Sequence, residues 1–135
     1  MNISIACIGF LGLLVIGLGL WATLGRGAAN TVIGNSDDPT DALHKRVRAH
    51  GNAAEYCAML AVLIYVAGLD DPGLWVSSLM VAAVLSRYLH AAGMLASPTL
   101  AAPHPLRFVG ALGTYVTGIG LSIRVVWQGL APLLG

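Results

Sequence analysis

Between Ile3 and Leu24 the chain carries no charged residue, and three further predominantly apolar stretches follow it. A bilayer core about 30 Å thick takes around 20 residues of helix to cross. The runs predict spans over 3–24, 43–69, 74–96 and 106–130, and the whole chain, 1–135, reads as one all-α domain, an integral membrane four-helix bundle. Composition agrees, because 57% of the residues are apolar and only 10% are charged. A soluble domain usually carries about 25% charged residues to cover its surface. The net charge of +1 offers no basic face for nucleic acid.

The first run differs from a secretion signal. No Lys or Arg precedes it, and its apolar length exceeds the roughly 7–15 residues of a signal core. It is expected to be a retained spanning helix. A polar loop follows Gly25-Arg26, and Thr40 or Asp41 is suited to capping the second helix. That helix opens with Lys45, Arg46 and Arg48, and its purely apolar part, Tyr56 to Leu69, is too short to span alone. Asn52 and Glu55 must therefore enter the membrane or stand at its surface. Asp70-Asp71-Pro72-Gly73 predicts a tight turn, and Pro98, Pro103 and Pro105 bracket the last loop. No low-complexity tract or internal repeat interrupts this order.

Lys and Arg flank the first and third loops, at Arg26, Lys45, Arg46, Arg48 and Arg107, whereas the Asp70 turn has none. By the positive-inside bias these two loops face the cytoplasm. Gly110, Thr114, Gly118 and Ser122 form an i, i+4 stripe of small residues on the fourth helix. Such a stripe suits close helix contact, either within the chain or between copies. Cys7 and Cys57 lie in separate apolar segments with no CxxC, which indicates neither a disulfide framework nor a metal site.

The polar residues at membrane depth need a reason, because each charged group there costs at least about 2.5 kcal/mol. At about 100° per residue, Arg48, Asn52 and Glu55 fall within about 60° of one another on the second helix, with Tyr56 at the border. His50 points the other way. Arg87 and His90 share a face of the third helix. Arg107 opens the fourth helix and Arg26 ends the first. Antiparallel packing brings these ends together as a pocket with excess positive charge and one carboxylate, suited to an anion that also bears an amine. The plainer alternative is an Arg48–Glu55 ion pair, with Arg26 and Lys45 reaching to headgroups.

The string Arg46-Val47-Arg48-Ala49-His50-Gly51-Asn52-Ala53-Ala54-Glu55-Tyr56 resembles the signature opening the second helix of the MAPEG family, the membrane-associated proteins in eicosanoid and glutathione metabolism. Arg87-Tyr88-Leu89-His90 is similar to that family's third-helix Arg-x-x-His, and the resemblance extends over all four spans. The family includes microsomal glutathione transferases, leukotriene-C synthase and microsomal prostaglandin E synthase. This chain most resembles bacterial-type members akin to the microsomal glutathione transferases.

The resemblance implies a homotrimer with glutathione, the co-substrate, bound between subunits near the cytoplasmic side, and no metal. It implies that Arg48, Asn52, Glu55, Tyr56 and His90 hold glutathione, with Arg26 joining them. Arg107 is implied to face the thiol and act in catalysis. The chemistry is compatible with this assignment. Guanidinium groups pair with carboxylates, Glu55 suits the ammonium, and an arginine favours the reactive thiolate over a thiol whose ordinary pKa is about 8.5.

Four positions depart from the family pattern. Gly51 stands where some members carry another arginine, and Met94 replaces a tyrosine. Phe108 and Ala111 stand where the prostaglandin synthase type has a hydroxyl residue and a tyrosine. The expected activity is therefore thiolate attack on a small lipophilic electrophile or lipid peroxide arriving through the bilayer, in a bacterial inner membrane. The alternatives are a non-catalytic membrane protein that keeps the fold and an anion or lipid site, and a small channel. Polar groups confined to one end argue against a channel.

Overall fold

The computed structural model describes residues 3–134. Among them the regular elements are four α-helices: α1 Ile3–Ala28, α2 Ala42–Ala67, α3 Gly73–Ala96 and α4 Pro105–Leu134. Three of them, α1, α3 and α4, are long and apolar enough to cross a membrane. α2 matches α1 at 26 residues, about 39 Å at roughly 1.5 Å per residue, with its polar residues in the first half. The chain is an integral membrane four-helix bundle. Helices satisfy every backbone N–H and C=O within the segment, which is the requirement hydrocarbon imposes.

Local chemistry sets the helix ends. Asp41 is extended and its carboxylate accepts from His44 N at 2.7 Å, the expected cap of α2. Thr40 is used differently: its backbone N–H and hydroxyl both donate to Asp38 Oδ1, at 2.8 and 2.7 Å. Between α2 and α3, Gly73 N donates to Asp71 Oδ1 at 3.3 Å with φ +60°, a conformation that favours glycine. α3 stops at Ser97, which is extended ahead of Pro98.

Loops 29–41 and 97–104 lie at one end of the bundle and are tied together there. Leu100 N donates to Pro39 O at 2.9 Å and Lys45 Nζ to Ser97 O at 3.2 Å. At the other end Gln128 Nε2 donates to Asp70 Oδ2 at 2.5 Å. Of the seven Lys and Arg residues, Arg26, Lys45, Arg46, Arg48 and Arg107 sit at the first of these ends, which makes it the basic one.

The core holds Leu11, Leu14, Leu18, Leu60, Ile64, Met80 and Leu121. Larger apolar side chains such as Leu13, Ile16, Ile119 and Ile123 point outward, as they must where the solvent is lipid. Much of the small-residue stripe on α4 is spent within the chain. A Cβ on Gly110 would stand 2.5 Å from His90 N, and one on Gly118 would touch Leu60. Thr114 is buried.

His50 faces α1, with Nδ1 3.2 Å from the Val15 carbonyl, and its ring fills the space a side chain on Gly19 would need. Cys7 and Cys57 are both buried and free.

Candidate functional site

The side chain that organises the polar region is Arg87. It lies roughly two and a half turns from the C-terminal end of α3 and is 2% exposed. Nη2 donates to Asn52 Oδ1 at 2.6 Å and to the Asn52 carbonyl at 3.2 Å, and Nη1 donates to Thr114 Oγ1 at 3.4 Å. The guanidinium also stands 5.0 Å from the centroid of the Tyr56 ring. One cation thereby joins α2, α3 and α4.

These partners are all neutral. Among the described residues no carboxylate pairs with Arg87, and its buried Nε–H has no acceptor. A buried charge normally has an opposite charge beside it, because desolvation costs several kcal/mol per ion even after relaxation. Amide and hydroxyl oxygens and a π face offset part of that cost and leave the positive charge uncancelled.

Asn52, Tyr56, Arg87, His90, Ala111 and Tyr115 line a small cleft of about 40 Å³. His90 Nδ1 is 2.9 Å from the Arg107 carbonyl oxygen. A carbonyl only accepts, so Nδ1 carries the proton and a neutral ring leaves Nε2 as an acceptor. The hydroxyls of Tyr56 and Tyr115 are 2.9 Å apart, and their rings meet edge to face with centroids 6.0 Å apart.

Of the residues expected at a glutathione site, the fold brings Asn52, Tyr56 and His90 together around Arg87. Arg48 and Glu55 are exposed on α2, and among the described residues neither has a hydrogen-bond or ion-pair partner. The Arg48–Glu55 pair that spacing allows is therefore not formed. Arg107 is half-buried, and its Nη1 donates to Leu100 O and Ala102 O at 3.1 Å each, so it holds the third loop in place. Arg26 is turned to the first loop, with Nε donating to Gly34 O at 3.4 Å. Lys45 is likewise engaged by Ser97.

The sequence places Arg87 in the polar cluster, through the Arg-x-x-His pattern and its membrane depth, without naming it as a glutathione contact. Tyr115 had no signal beyond lying two turns after Arg107, on the face of α4 that meets α2.

The departures from the family pattern fall in different places. Ala111 is in the cleft wall and Met94 is buried, whereas Phe108 is 68% exposed. Gly51 is half-buried with open space where a side chain would be.

The model of the MAPEG family matches residues 4–127 of this chain. The chain belongs to the MAPEG family. The match takes in the whole of α2 and α3 and most of α1 and α4, so every cleft residue lies within it. No curated protein matches the chain. MAPEG membership places the chain among membrane four-helix bundles, in a family that includes glutathione transferases and peroxidases. In this MAPEG chain the motif residues of α2 divide between two environments, with Asn52 and Tyr56 turned into the bundle and Arg48 and Glu55 out of it.

Proposed function

We propose that this MAPEG protein is a homotrimeric membrane enzyme that binds glutathione and directs its thiolate at a lipophilic electrophile or lipid peroxide. The observation that carries the reading is Arg87, a buried guanidinium with neutral partners only. An anion supplies the missing charge. Glutathione offers two carboxylates, a thiolate and an ammonium, and the unpaired Arg48 and Glu55 beside the cleft have the charges to meet a carboxylate and the ammonium.

The cleft in one chain is about 40 Å³, whereas small-molecule pockets run from roughly 300 to 1,000 Å³. A second subunit packed against the exposed Arg48 and Glu55 supplies the missing wall in this reading. Arg26 contributes from that neighbour or from its own loop. The five cations at the basic end orient the site towards the cytoplasm, by the same bias in Lys and Arg, and a bacterial inner membrane is the compartment we assign. Arg107, beside His90 in the fold, is the group assigned to favour the thiolate, and its remaining N–H donors are available for that.

Thiolate ultraviolet absorbance, followed as glutathione is added to protein in mild detergent, tests this. A saturable thiolate signal, matched by calorimetric binding, is expected. No signal and no heat would overturn the reading. Arg107→Ala should weaken thiolate formation more than binding, and Arg48→Ala should mainly weaken binding.

The engagement of Arg107 by two loop carbonyls favours a second reading, a non-catalytic protein that keeps an anion or lipid site. Binding without a thiolate signal, and no conjugation of an aryl halide, would select it.

A further inference from the structure

From the Tyr56–Tyr115 pair we infer that Tyr115 is the proton donor to the oxygen that leaves when a lipophilic hydroperoxide is attacked at this site. The inference rests on the glutathione reading above. It concerns a residue that neither the motif of α2 nor the Arg-x-x-His of α3 contains.

Thr114, Tyr115 and Tyr56 form a wall common to two spaces. On one side is the polar cleft around Arg87. On the other is a groove of about 350 Å³ between α2 and α4, mostly apolar with Met59, Leu60, Leu63 and Ile119 in its walls and Glu55 among its lining residues. Tyr115 is 54% exposed and lines the groove. It lies one turn beyond Ala111, where the cleft wall has no hydroxyl of its own.

Two hydroxyls 2.9 Å apart share one hydrogen bond, so one of the two protons is uncommitted. Either hydroxyl can donate in that bond. With Tyr56 as the donor, the Tyr115 proton is free to face the groove. Once that proton is given away, the same Tyr56 hydroxyl stabilises the Tyr115 phenolate.

Written out for a hydroperoxide, the glutathione thiolate attacks the terminal oxygen. An S–O bond forms as the O–O bond breaks, sulfur is oxidised to a sulfenic acid, and the other oxygen leaves with the electron pair as an alkoxide. Tyr115 protonates the alkoxide to the alcohol. The phenolate regains a proton from water, equivalent to the one released when glutathione ionised. A second glutathione converts the sulfenic acid to disulfide and water. Transfer from a phenol, of pKa about 10, to an alkoxide, a base of about the strength of hydroxide, is strongly downhill. An aryl chloride makes no such demand, because chloride leaves without a proton.

The test compares kcat for cumene hydroperoxide and for an aryl chloride at saturating glutathione, in wild type and Tyr115→Phe. General acid catalysis contributes roughly 10²–10⁴-fold. The hydroperoxide-to-chloride ratio should therefore fall at least about 10²-fold in the variant. Thiolate absorbance and melting temperature, measured alongside, report that the variant keeps its site and its fold. A ratio unchanged by Tyr115→Phe, whether both rates fall or neither does, overturns the inference. A wild-type protein that forms no thiolate with glutathione is a different failure, because it removes the underlying reading and this inference with it.

Discussion

At the scale of single residues, Arg87 poses the sharpest electrostatic question. Its oxygen partners are an amide and a hydroxyl, with no carboxylate among the described residues. A charge held this way stabilises the apo fold little, because desolvation opposes the hydrogen bonds it makes. Arg87→Met, similar in length and uncharged, should therefore leave the melting temperature in detergent nearly unchanged or raise it. Glutathione binding should weaken by about 10- to 100-fold, the equivalent of losing one charge-assisted hydrogen bond of roughly 1.5–3 kcal/mol. A large fall in melting temperature with binding intact would mean that the guanidinium serves the fold instead. Asn52→Ala is a milder form of the same experiment. It leaves Nη2 with the Asn52 carbonyl alone, so the guanidinium loses its shortest contact at 2.6 Å.

At the scale of the helices, packing and capping decide how well the cleft is held. Gly110 lets α4 approach α3 at His90, and a Cβ there would meet His90 N at 2.5 Å. Gly110→Ala must push the two backbones apart. Overpacking of this kind costs typically about 1–3 kcal/mol, and the displaced His90 should lower glutathione affinity along with the melting temperature. Asp41→Ala removes the cap of α2, with an expected loss of about 1 kcal/mol, read as a lower thermal midpoint without loss of affinity.

The loop before α2 has a pH response. The Thr40 backbone N–H and then its hydroxyl hold the Asp38 carboxyl below the usual range. A carboxylate with a lowered folded-state pKa contributes stability above its unfolded value, and that contribution is lost as pH falls through the folded one. Proteolysis of the 29–41 loop should therefore accelerate on acidification below the ordinary carboxylate range. Asp38→Asn should flatten that dependence.

At the scale of the whole molecule, the outward faces of α1 and α4 are apolar, with Leu13, Ile16, Ile119 and Ile123 each at least 60% exposed. Such faces require lipid, detergent or another subunit. The proposed trimer predicts a mass of three chains by light scattering in mild detergent, corrected for bound detergent. It also predicts that dissociating the trimer abolishes glutathione binding, since one chain encloses only about 40 Å³ of the cleft. A monomer that binds glutathione with full affinity would remove the argument for a site shared between subunits.

Hydropathy along the chain was enough to determine α1, α3 and α4, because a span is a local property of about 20 consecutive residues; α2, polar in its first half, was legible through its cap and the apolar run that continues it. The cap at Asp41 and the turn at Asp71-Pro72-Gly73 were legible for the same reason. Helical spacing also put Arg48, Asn52 and Glu55 on neighbouring positions of one helix. It did not decide which of them would turn inward, because that depends on where α3 and α4 lie. Only the tertiary structure drew Asn52 to Arg87 across 35 residues of sequence, tied Arg107 to its loop and set Tyr115 against Tyr56. Each of these is a contact between distant parts of the chain, fixed by helix packing and by the need of a buried guanidinium for oxygen partners.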